Sequence, residues 1–160
     1  MGSGAGGSYS GTNGGSQPYA PSYHVEKSMH KMDVANGTFH DGHYDKNPTA
    51  KKLSDMIQGN YIGDKRTNLD IPYVIDKNDN IIVGRRNGNG RDGAPTPHPT
   101  LIGGKDPQVK MAGILHIQGG KIASYDNQSG HYKPNIKSME AADAAFSKLS
   151  PQLFKKKKKR

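Results

Sequence analysis

Apolar and polar positions alternate in two rhythms along this chain. Near its start, Val25, Met29 and Met32 recur at helical spacing behind Ser22, a residue type that caps helices. The run stops before Asn36-Gly37, so the spacing predicts a first helix there. Residues 37–48 carry no period and read as a loop. Thr49 heads a second helical pattern, with Leu53, Met56 and Ile57 as its buried stripe and Gly59 as its stop. From Ile71 to Ile75 the rhythm becomes that of a strand, which turns at 76–80 and returns over Ile81 to Val83. A second hairpin runs through 111–117, turns at Gln118-Gly119-Gly120 and returns over 121–125. Ser138 opens a last helix, with Ala141, Ala142, Ala145, Phe146 and Leu149 available for packing. The order predicts an α+β domain: a small antiparallel sheet built from hairpins, two N-terminal helices and one C-terminal helix.

Composition narrows the picture. A length of 160 residues suits one domain, and the absence of Cys excludes disulfides, thiolate zinc sites and a cysteine nucleophile. No apolar run reaches the roughly 20 residues of a membrane-spanning helix. Residues 1–23 hold seven Gly and no charged side chain, and read as a flexible linker or leader. Residues 155–160 are a basic tail, either a solubilising run or one that meets anionic lipid or nucleic acid. Residues 24–154 are then the single folded domain. The net charge of +9 divides accordingly: the tail supplies +6, and 17 basic against 14 acidic residues leave +3 for the domain.

Candidate chemistry gathers in loops. Between the hairpins, residues 84–107 contain four Gly before residue 94, four Pro, three Arg and His98. Arg85, Arg86 and Arg91 suit an anionic group such as a phosphate, although no Gly-Lys-Ser/Thr follows to make a P-loop. His98 stands between Pro97 and Pro99, which favour an extended backbone and a positioned imidazole. After the second hairpin, residues 126–135 bring Asn127, Ser129, His131 and Tyr132 together in sequence. They offer an amide, a hydroxyl, an imidazole and a stacking ring; equally, they suit a turn leading into a helix, with Tyr132 packed under the sheet.

His40 and His43, with Asp41 and Asp45, have metal-ligand character, but spacing fixes no third ligand and no metal is expected. His116 alternates with apolar neighbours and reads as structural. Twelve of the fourteen acids are Asp, so a mechanism built on Glu has only Glu26 and Glu140 to draw on. Glu140 lies in the first turn of the last helix, where it also suits the helix dipole.

Four blocks carry a resemblance: His-Pro-Thr-Leu-Ile-Gly-Gly at 98–104, Val-Lys-Met-Ala-Gly at 109–113, Gly-Gly-Lys-Ile at 119–122 and Ser-Gly-His-Tyr-Lys-Pro at 129–134. Together they are similar to C-terminal toxin domains of bacterial polymorphic toxins, of the contact-dependent and rearrangement-hotspot type. The Ser-Gly-His-Tyr-x-Pro block also resembles plant IQ-motif calmodulin-binding proteins. No IQ motif occurs here, so calmodulin is not expected as a partner.

The resemblance implies a domain secreted or delivered into a target cell, acting in its cytoplasm on a protein or RNA, with a cognate immunity protein. The block order also resembles secreted ADP-ribosyltransferases, which implies NAD as substrate and transfer of ADP-ribose to a macromolecule. In that reading the catalytic set is His98, Ser129, His131, Tyr132 and Glu140. Tyr73, Arg85, Arg86, Arg91 and Asn127 hold the dinucleotide, Tyr132 stacks on a ring and Glu140 stabilises the ribosyl cation. The chain has no Ser-Thr-Ser strand and no Glu-x-Glu or Gln-x-Glu pair. A different chemistry needs only two histidines: a metal-independent ribonuclease with His98 and His131 as base and acid, and Arg85, Arg86 and Lys133 facing the phosphorane. A third possibility is a non-catalytic interaction domain.

Overall fold

The computed structural model describes residues 16–88 and 96–156. Strands β1 (Phe39–His40) and β2 (His43–Tyr44) form one small hairpin, and β4 (Ile57–Gln58) and β5 (Tyr61–Ile62) form another. The main sheet is built from β3 (Lys51–Lys52), β6 (Leu69–Ile75), β7 (Ile81–Val83), β8 (Met111–Gln118) and β9 (Lys121–Tyr125), in the order β3-β7-β6-β8-β9. All its strand pairs are antiparallel. Two α-helices are present among the described residues, α1 (His30–Ala35) and α2 (Met139–Phe146). The fold is α+β, and the β6–β7 and β8–β9 hairpins lie where the apolar alternation puts them.

Both faces of the sheet are covered, which is why β6 and β8 are nearly continuous in apolar residues. Tyr73 and Ile75 join Met111, Leu115 and Ile117 on one face, against Ala142, Ala145 and Phe146 of α2. Val74 and Ala112 face the other way, into a cluster of Tyr23, Tyr44, Leu101, Val109 and Tyr132. That second face is assembled from loops, and the candidate chemistry sits among them.

The two N-terminal helices differ from expectation. Tyr23 exchanges backbone hydrogen bonds with Val109 (2.7 and 3.1 Å), which holds residues around it extended. The helical region shrinks to a 3-10 turn at Lys27–Met29 followed by the six residues of α1, and Met32 is exposed. Ser22 donates to Gln108 rather than capping a helix. In the second case, the buried Asn47 side chain accepts hydrogen bonds from both Thr49 N and Thr49 Oγ1, and Lys51–Lys52 pair with β7. Sheet pairing therefore overrides the helical period, leaving a 3-10 turn at Leu53–Met56. The expected loop at 37–48 contains the β1–β2 hairpin.

Order also begins earlier than His24. Gln17 N donates to Lys133 O at 2.8 Å, and Gln17 Nε2 donates to Tyr132 O at 2.7 Å. Residues 17–23 are thus docked onto the domain. At the far end Phe154 bridges to Ile122, and Lys155 N donates to Ile122 O. Ser138 does precede α2, yet its hydroxyl is hydrogen-bonded with Tyr23 at 2.6 Å instead of capping the helix.

Gly113 of β8 is the tightest point of the sheet: a Cβ there would lie 1.9 Å from the Asp126 carbonyl oxygen. Gly130 has open space at the same position. Gly113→Ala should therefore lower unfolding stability by about 2–3 kcal/mol or more, while Gly130→Ala should change it by less than about 1 kcal/mol. Urea denaturation of the two variants measures the difference, and equal effects would contradict the close approach.

Candidate functional site

Asp33 projects from the short helix α1 into the loop-built face and is only 2% exposed. Its carboxylate accepts two hydrogen bonds, from Tyr44 OH at 2.5 Å and from His131 Nε2 at 2.8 Å. A buried carboxylate costs several kcal/mol unless donors replace the lost water, and these two supply that replacement. Burial and then Asp33 push the Tyr44 hydroxyl above its ordinary range, so it stays a donor. With Nε2 committed to Asp33, Nδ1 is the His131 ring nitrogen outside that bond.

The position of His131 follows from the chain leaving β9. Asp126 N donates to Ile114 O, while the Asp126 carboxylate accepts from Ile114 N (2.8 Å), Gln128 N (3.0 Å) and His116 (3.2 Å). Its carbonyl accepts from the Tyr73 hydroxyl at 2.7 Å. Ser129 then forms a turn: its Oγ accepts from Tyr132 N and its carbonyl from Lys133 N. That turn presents His131 toward α1. His116, set between Asp70 and Asp126, is opposed by burial, but the two carboxylates outweigh it and raise its pKa.

His98 approaches from the other loop. Pro97 and Pro99 start a 3-10 turn, His98–Leu101, rather than an extended segment. The ring is buried and its Nε2 donates to the Gly113 carbonyl at 2.8 Å. Burial drives the His98 pKa down to about 4; the Gly113 bond opposes this, and the charges of His131 and Arg86 add to it. His98 is therefore neutral at pH 7, with the proton on Nε2 and a lone pair on Nδ1. The charge of His131 is felt at His98, and the two rings have different surroundings: His131 is hydrogen-bonded to a carboxylate and His98 to a backbone carbonyl.

The basic loop is held by its backbone. Asn47 Nδ2 and Thr96 Oγ1 both donate to Arg85 O, Thr96 N donates to Arg86 O, and Arg85 N donates to Thr49 Oγ1. The side chains of Arg85 and Arg86 are exposed, and Arg86 is close enough to His98 to be felt there. Arg91 lies outside the described residues.

Other candidates are placed elsewhere. Tyr132 is fully buried and donates to Pro107 O, so its ring is core and has no face for stacking on a ligand. Tyr73 is likewise fully buried, in edge-on contact with Tyr125 and Phe146. Asn127 is buried, with Nδ2 donating to Pro134 O and Oδ1 lacking a hydrogen-bond partner among the described residues. Glu140 is exposed and accepts from Tyr19 at 3.2 Å. Lys133 is exposed, with a left-handed backbone at φ 43°.

No family model, curated protein or solved structure matches this chain.

Asp33 and Tyr44 were not among the residues singled out in the sequence. Asp33 shares a helical face with Met29, four positions earlier, and a carboxylate on an apolar stripe is the one signal that marks it.

His98 also sets a pH dependence of stability. Between pH 6.5 and about 4 the unfolded chain binds a proton that the buried ring refuses, so stability falls as pH falls through this window. Below about 4 both states are protonated and the loss levels off. The expected loss is about 3 kcal/mol. Denaturant titrations at a series of pH values should show it, and His98→Gln should flatten that part of the curve; an unchanged curve would contradict burial of a neutral ring.

Proposed function

We propose that this domain is a metal-independent ribonuclease, the catalytic part of a polymorphic toxin. The observation that carries the reading is the pairing of His131, hydrogen-bonded to buried Asp33, with His98, a neighbouring imidazole held neutral by burial. A neutral imidazole with a free lone pair and a second imidazole oriented by a carboxylate together offer a base and an acid. His98 Nδ1 takes the proton of a ribose 2′-hydroxyl, and the 2′-oxygen forms a bond to phosphorus. The P–O5′ bond breaks, and the leaving oxygen takes a proton from His131 Nδ1. Asp33 holds that ring and offsets the positive charge it carries once protonated. The products are a 2′,3′-cyclic phosphate and a 5′-hydroxyl, and Arg86 faces the charge that develops on the phosphorane.

A lysine-lined groove at the far end of the turn that begins with His98 supports a polyanionic substrate. Lys46, Lys51, Lys52, Lys77 and Lys105 line it, together with Leu101 and Ile102 at the end of the turn that begins with His98. Its two carboxylates are already engaged: Asp76 accepts from Asn78 N and Asn80 N, and Asp106 is paired with His24 at 2.8 Å. The lysines are therefore available for phosphates. The toxin part of the reading rests on the Ser-Gly-His-Tyr-x-Pro block, and implies delivery into a target cell and an immunity protein. NAD-dependent transfer is supported less well, because Tyr73 and Tyr132 are buried with their hydroxyls on backbone carbonyls, and exposed Glu140 is engaged by Tyr19.

The purified domain should cleave RNA in EDTA and leave cyclic phosphate ends. His98→Ala and His131→Ala should each lower the rate by about 100-fold or more, while Glu140→Gln should leave it unchanged. Labelled NAD should transfer nothing to a lysate. Wild-type cleavage by both histidine variants, or label transfer lost in Glu140→Gln, would overturn the reading.

A further inference from the structure

The β1–β2 hairpin carries a second cluster that the acid–base site does not use. Its turn residues, Asp41 (φ 52°) and Gly42 (φ 80°), both have left-handed backbone, as a two-residue hairpin connection requires. That turn makes His40 and His43 direct cross-strand partners, with their side chains on one face. Asp45, two residues beyond His43, falls on the same side. Its carboxylate lies 2.8 Å from His40 Nε2 and 3.5 Å from His43 Nε2. One donor atom from each of the three residues is within 4.8 Å of the others. Behind them, His40 Nδ1 is 3.3 Å from the Asp41 carboxylate. A ring nitrogen held by a carboxylate while the other nitrogen faces outward is the usual support of a metal-bound imidazole.

We propose that His40, His43 and Asp45 form a binding site for a zinc-class divalent cation. The two Nε2 atoms and one Asp45 oxygen are three ligands, and water completes the tetrahedron. Two imidazoles with one carboxylate suit zinc, cobalt or nickel rather than calcium or magnesium. The side chains are about half exposed, so they are free to close the last distance to a cation. The site is separate from the ribonuclease chemistry, but it shares a strand with it. Tyr44, between two of the ligands, points to the opposite face and donates to Asp33. A cation on the outer face therefore clamps the hairpin that supplies Tyr44.

The test is calorimetric titration of the full-length, EDTA-stripped and dialysed chain with zinc, and optical titration with cobalt. One equivalent should bind, with the absorption of tetrahedral cobalt. The double variant His40→Ala/His43→Ala should lose that equivalent. Asp41→Asn, which tolerates left-handed backbone, should weaken it about tenfold. In the unaltered protein, zinc should shift the imidazole resonances of His40 and His43 before those of His24, His30 and His116. Equal binding by the double variant, no equivalent bound by the wild type, or resonance shifts confined to other histidines would each overturn the proposal.

Discussion

One buried carboxylate ties this molecule together. Asp33 comes from α1, Tyr44 from the β1–β2 hairpin and His131 from the loop after β9, and the three meet at distances of 2.5 and 2.8 Å. None of these segments has much regular structure of its own: α1 is six residues and β2 is two. Isolated elements of that length are unstable in water. Their positions depend on the cost of burying a charge, which disappears only when both donors are in place. Losing one donor leaves the carboxylate under-solvated, a penalty of a few kcal/mol that acts against all three segments at once. The same contact that orders the loops fixes the orientation of the His131 ring.

The sheet contributes through close approach rather than through chemistry of its own. Gly113 lets the Asp126 backbone lie against β8, and that contact launches the loop bearing His131. The Gly113 carbonyl also receives His98. A single residue without a side chain thus positions both imidazoles, from opposite directions in sequence. Asp126 reinforces the arrangement by spending its carboxylate on Ile114 N and Gln128 N.

Much of the fold was legible because β6 and β8 are apolar runs of strand length, each followed by turn residues and a shorter returning run. The N-terminal half was not, and the reasons are specific. Met29, Met32, Leu53 and Met56 have helical spacing, but the backbone near them is claimed by Val109, Asn47 and β7. Propensity differences of a few tenths of a kcal/mol per residue cannot compete with such contacts. For the site, the loop histidines were visible as residues in unusual settings, between prolines or inside a Ser-Gly-His-Tyr block. The pairing of His131 with its carboxylate was not legible, since Asp33 lies 98 residues before His131 and only the folded chain joins them. Tyr73 and Tyr132 show the converse difficulty. A tyrosine looks the same in sequence whether its ring stacks on a ligand or fills a core with its hydroxyl on a carbonyl, as both do here.

The contrast between the two imidazoles matters more than their proximity. Two histidines in identical surroundings would have the same affinity for protons, and nothing would fix which of them takes up the first. Here His98 has a backbone carbonyl as its hydrogen-bond partner, and burial keeps it neutral down to about pH 4. His131 instead has the Asp33 carboxylate 2.8 Å from its Nε2. The asymmetry is built by ordinary folding forces: a proline-flanked turn pressed onto a glycine carbonyl, and a buried aspartate that needs donors. It sets a neutral imidazole with a lone pair on Nδ1 and an imidazole held by a carboxylate within electrostatic reach of each other, so that the two rings differ in what they offer although they are the same residue type.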